Sequence, residues 1–163
     1  MPIVLLSSPV FQVTYKKISD LDNHRPEEIR PYIFNKILIL FLFTIPFPIL
    51  FIFWSEQIFS IVFGQEWIKA GEFSKYLVLL AFIKFCASPA MAVFNLKRNV
   101  RAGALWQFFY FVSLCIFLII LYLNSASMNT FLVAIVIHEF FQNFILLLLT
   151  YIKTSYTLKK NEI

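Results

Sequence analysis

The sequence predicts an all-α, polytopic transmembrane protein, and three observations predict it. Apolar residues make up 60% of the 163-residue chain and charged residues 14%, against about 25% charged in an average soluble domain. Too little polar surface remains to cover a water-facing globule. Four apolar blocks approach the roughly 20 residues of helix that cross a bilayer. The 14 Lys and Arg residues fall almost wholly in the segments between those blocks. The formal charge of +5 is therefore read as a topology signal rather than a nucleic-acid footprint. No zinc-ligand spacing, RNA-binding aromatic motif or helix-turn-helix pattern accompanies it. The high aromatic content, 19%, argues against a disordered chain, and two cysteines do not make a disulfide scaffold.

The first 14 residues, MPIVLLSSPVFQVT, are apolar but too short to span. They lack a basic n-region and a small-x-small cleavage pattern, which argues against a signal peptide. They read as the last turns of a helix that begins upstream, with the chain as the C-terminal part of a larger protein. The first full span is placed at residues 37–54. Pro46 and Pro48 should kink it, since each lacks an N–H and crowds the preceding turn. In residues 55–75, SEQIFSIVF puts Ile58, Phe59, Val62 and Phe63 on one helical face, the pattern of a short interfacial helix. Gly64 should end it, leaving Trp67 at the membrane surface, where indole partitions. The second span is placed at residues 76–95, interrupted only by Lys84 and bent by Pro89. The third, residues 104–123, carries no charge. The fourth, residues 131–152, is interrupted only by His138 and Glu139.

Across successive connections the count of Lys and Arg runs five, two, three, zero, three. Basic residues accumulate on the cytoplasmic side, so residues 15–36, residues 96–103 and the tail from Lys153 are assigned there, with the C-terminus cytoplasmic. Lys97, Arg98 and Arg101 are expected to anchor that surface against anionic lipid headgroups.

Ionisable residues inside a span are functional candidates, because a charge in hydrocarbon is costly. Lys84 and Glu139 each lie eight residues into a span running outside to inside, roughly 12 Å below the outer edge at 1.5 Å per residue. Equal depth permits an ion pair or a shared polar cavity. Glu139, Gln142 and Asn143 are spaced i, i+3, i+4 and share a face; His138 and Gln142 are neighbours as well. Three readings stay open: a transport site, a structural pair between helices, and lipid-facing snorkelling of Lys84. As a transport site, the stripe of His138, Glu139, Gln142 and Asn143 would meet a polar cargo, Lys84 would be the cation for an anionic group on it, and His138 or Glu139 could carry protons. The sequence carries no hydrolase, P-loop, zincin or sugar-nucleotide motif and implies no enzyme, cofactor or metal.

The stretch IFSIVFGQEWIKAGEFSKYLVLLAFIKFCASPAMAVFNLKRN resembles the polysaccharide-exporter branch of the MATE-like flippase superfamily. The resemblance rests on an ordered set: an apolar run, Phe63-Gly64, Glu66-Trp67, Ala70-Gly71, then Ser88-Pro89 inside a span and the basic turn Lys97-Arg98-Asn99. PVFQVTYKKISDL also looks like that family's aromatic, basic and amphipathic link. The resemblance implies translocation of a lipid-linked oligosaccharide, such as an O-antigen or capsule repeat unit, across the bacterial inner membrane. It implies alternating access by two lobes about a central cavity, with this chain matching the end of the eighth helix and the ninth to twelfth. The implied partners are membrane lipids, the lipid-linked oligosaccharide, the remainder of the transporter and other polysaccharide-assembly proteins, with no nucleic acid. The alternative is a small four-span subunit or scaffold of a cell-envelope complex.

Overall fold

Long runs of Leu, Ile and Phe, with glycine at only three positions, favour helices that satisfy their own backbone groups, as a lipid environment demands. The computed structural model describes residues 2–160, and the side chains of residues 8–154. Among these residues it contains helices and turns and no strand. Six α-helices follow one another: α1 (Pro2–His24), α2 (Ile29–Thr44), α3 (Pro46–Phe63), α4 (Ile68–Phe94), α5 (Val100–Leu123) and α6 (Met128–Lys160). Single 3-10 turns at Pro26–Glu28 and Gln65–Trp67 precede α2 and α4. Four helical stretches are long and apolar enough to cross a membrane: Pro26–Phe63, Gln65–Phe94, Val100–Leu123 and Met128–Thr154. The chain is a membrane protein on that ground.

Two elements differ from the expectation. The helix at the N-terminus does not stop near residue 14; α1 continues to His24 and buries Thr14, Ile18 and Leu21. The interfacial helix is no separate element either. Residues 55–63 are the last turns of α3, because no proline or glycine interrupts the ladder between Trp54 and Gly64. Gly64 ends α3 with φ +103°, a conformation that favours a residue with no Cβ. The break lies instead at Ile45, between α2 and α3, where Pro46 and Pro48 remove two N–H donors. Beside the break, the Thr44 hydroxyl donates back to the Leu40 carbonyl at 2.6 Å. α4 runs through Pro89 without a break.

α4 is the hub against which α1, α2, α3 and α6 pack. Small residues make that possible: Gly71, Ser74, Ala87, Ala90 and Ala92 are all buried on it, and small side chains let helix axes approach closely. Ile18 and Leu21 of α1, Ile29 and Ile33 of α2, and Ala92, Val93 and Leu96 form one apolar cluster. Ala87, Ala90 and Phe94 form another with Leu146 of α6. No residue of α5 is buried.

Polar contacts mark which helix ends meet. At one end Lys75 pairs with Glu56 at 3.0 Å, and the Asn129 amide donates to Glu72 at 3.0 Å. At the other, Arg98 pairs with Asp22 at 2.6 Å, and the Arg30 guanidinium lies 3.8 Å from the Tyr151 ring centroid. Of the basic turn, Lys97 and Arg101 are exposed, while Arg98 is committed to α1. The Arg98–Asp22 pair is partly solvated, so Arg98→Ala should cost only about 0.5–1 kcal/mol. Denaturant unfolding in detergent checks this; a loss near 3 kcal/mol would show that α1 hangs on that pair.

Candidate functional site

A groove of about 480 Å³ runs between α1, α4, α5 and α6. Its floor is one face of α4, with Lys84, Ala87, Ser88, Met91 and Asn95 at near-helical spacing. Glu139, Asn143 and Leu146 of α6 follow the same rule. Phe11 forms the α1 side, stacked on Tyr15 at 6.2 Å between centroids. Trp106, Gln107 and Tyr110 form the α5 side, with Trp106 stacked on Tyr110 at 5.6 Å. Among the described residues no α-carbon of α1 lies within 8 Å of one in α5, and the groove lies between these two helices.

The central feature is an ion pair. Lys84 Nζ lies 3.0 Å from Glu139 Oε1. The two partners differ in exposure: the Lys84 side chain is 55% exposed and that of Glu139 is 5% exposed. The buried carboxylate is well supplied with donors. The Tyr110 hydroxyl donates to its Oε1, and the Asn143 amide reaches Oε2 at 3.4 Å while donating to the Glu139 carbonyl at 2.8 Å. A buried charge is tolerable only when paired and hydrogen-bonded in this way. Lys84 lines the groove and stays half-exposed, with a charge that an incoming polar group can meet.

The polar stripe of α6 divides. Glu139 and Asn143 face the groove, but His138 and Gln142 face α5 behind it. His138 Nε2 lies 2.9 Å from the Ser113 hydroxyl, to which the Gln142 amide also donates at 2.9 Å. The His138 ring stacks on Phe117 at 5.0 Å. Lys84, Glu139 and Asn143 are thus brought together; His138 and Gln142 belong to a helix contact; Lys97 and Arg98 lie in the turn beyond Asn95 and Arg101 in the first turn of α5. Sequence reasoning missed Tyr110 and Ser113. Their signal was a polar tip inside a charge-free span, since a hydroxyl in hydrocarbon seeks a partner.

Among the described residues no group of three or more His, Cys, Asp or Glu is placed to hold a metal ion. Cys86 and Cys115 are both free thiols, and Cys86 lies 3.7 Å from the Thr44 hydroxyl beside the α2–α3 break. The arrangement offers a cation, a carboxylate, three amides, hydroxyls and aromatic faces along one groove. No family model, curated protein or solved structure matches the chain.

Proposed function

We propose that the chain forms part of the wall of a membrane translocation pathway, and that its cargo is a lipid-linked oligosaccharide such as an O-antigen or capsule repeat unit. The observation that carries the reading is the half-exposed Lys84, paired with buried Glu139, in an open groove between apolar helices. A polar headgroup would meet Lys84, Asn143 and the Trp106–Tyr110 faces, while its lipid stayed among the exposed apolar faces. The sequence resemblance to the polysaccharide exporters supports the same reading. So does the alternating charge, which agrees with a multi-pass protein of the bacterial inner membrane whose C-terminus is cytoplasmic. The role proposed is transport by alternating access, with no bond made or broken.

The test is glycan export in cells that depend on the transporter containing this chain. Lys84→Ala and Glu139→Gln should each lower export at least tenfold at matched protein levels. Wild-type export in both variants would sink the reading. One observation favours a second reading, a membrane subunit acting by association: α5 presents apolar residues along its length and buries none. Under that reading both variants export normally, and polar substitutions on α5 abolish co-purification with a partner.

A further inference from the structure

Four observations single out α5. It buries no residue, whereas α4, on which it turns back, buries nine. Its first turns fit closely: a Cβ on Gly103 would come within 2.9 Å of the Phe94 Cβ, and Ala102 and Trp106 pack on the α4–α6 cluster. Beyond Trp106, its hydrogen bonds to α6 come from Tyr110 and Ser113. Among the described residues, no α-carbon of α1 comes within 8 Å of one in α5 on the groove side.

The seam between α5 and its neighbours is also incompletely satisfied. The Trp106 indole N–H is buried without an acceptor, and so is one ring nitrogen of His138, Nδ1, without a partner. Whichever tautomer His138 adopts, its Nε2 takes the Ser113 contact and Nδ1 is left over. A buried polar group without a partner raises the free energy of the arrangement that buries it. Both groups lie where α5 meets its neighbours, so the docked position of α5 carries their cost. The other helices, α1, α2, α3 and α6, are held to α4 by buried apolar contacts and close small-residue packing.

We propose that α5 is the movable wall of the groove. It pivots on the turn at Asn95–Asn99, with Gly103 against Phe94 as the fulcrum, and is held shut by two clasps, Tyr110 on Glu139 and Ser113 on His138. The turn suits a pivot at its root. The buried Asn99 side chain donates to the Val93 carbonyl at 3.2 Å, which keeps the base of the turn in place while the helix beyond it swings. Opening widens the gap between α1 and α5 and admits a polar headgroup to Lys84 from the side. A small free-energy gap between docked and undocked positions is what such an element needs. The inference rests on the groove of the proposed pathway but not on its cargo, and the test uses no substrate.

The test is a distance measurement between spin labels in lipid nanodiscs. Val13→Cys on α1 and Phe111→Cys on α5 supply the label sites, since those residues are 62% and 63% exposed. Cys86→Ala and Cys115→Ala remove the native thiols. The expected result is two distances between α1 and α5, with the longer favoured about tenfold more strongly in Tyr110→Phe/Ser113→Ala, which removes both clasps. A reference pair across α1 and α6, Val13→Cys with Ile145→Cys, should keep one distance throughout. A single α1–α5 distance, unchanged when the clasps are removed, overturns the proposal. If the double variant does not fold, the otherwise native background decides alone: one distance overturns the proposal, two support it. Failed export in the cells described above with two α5 positions present would count against the cargo and leave the moving wall standing.

Discussion

Lys84→Met should destabilise the protein by about 2–3 kcal/mol, and Glu139→Gln by clearly less. Removing one partner of a buried pair costs about 3–5 kcal/mol, because the remaining charge is stranded. Here the two charges are stranded unequally. A carboxylate 5% exposed cannot reach water when Lys84 goes, and it keeps only Tyr110 and Asn143. An ammonium 55% exposed can turn into the groove when Glu139 is neutralised. The exposure of Lys84 also lowers the first figure below the fully buried range. In Lys84→Met/Glu139→Gln the amide still accepts from Tyr110 and no charge remains, so stability should return to within about 1 kcal/mol of wild type. The measurement is a double-mutant cycle by denaturant unfolding in bicelles, with a coupling of about 1–3 kcal/mol. Equal costs for the two single variants, or an additive double variant, would show that the pair is solvated on both sides.

Gly71→Val should cost about 3 kcal/mol or more, the largest loss expected from any single glycine in the chain. A Cβ at position 71 would lie 2.7 Å from the Ser55 carbonyl oxygen and 2.9 Å from the Glu56 Cα. Both obstacles are backbone, so no rotamer change relieves them, and overpacking of this kind is costly. α3 and α4 must separate along the seam that brings Lys75 to Glu56 one turn further on. Gly71→Ala should follow the same direction at about half the cost. The readout is the unfolding midpoint, together with cross-linking between cysteines placed on α3 and α4. Full retention of both would mean that the two helices are not held at this distance.

Much of this was legible in the sequence, and the reasons are specific. The Lys84–Glu139 pairing could be read because each is an acidic or basic interruption at the same depth of spans that run in the same direction. Proline chemistry marked the break at Ile45 in advance. The division of the α6 stripe could not be read. Residues 138 and 139 differ by about 100° around a helix, and the position of α5 decides which of those faces meets the groove. Tyr110 and Ser113 were hidden because a hydroxyl barely lowers the hydropathy of a span. The separate interfacial helix was a misreading of a change in polarity as a change of element: a helix continues past the membrane boundary wherever its hydrogen-bond ladder is intact. The short ion pair at Arg98 was hidden because a basic turn read by itself says nothing about an aspartate on α1.

The ion pair also bears on biogenesis. A lysine at the centre of an inserting helix costs about 2.5–3.5 kcal/mol during membrane insertion, and a central carboxylate is penalised in the same way. α4 is synthesised two helices before α6, so Lys84 must enter or await the bilayer with no carboxylate beside it. The short link after Leu123 lets α5 and α6 emerge as a hairpin, and its second strand of helix delivers Glu139. Integration of α4 is then completed by a residue translated later. Nascent chains halted before Glu139 should leave α4 accessible to water-soluble thiol reagents, and chains extended past it should not.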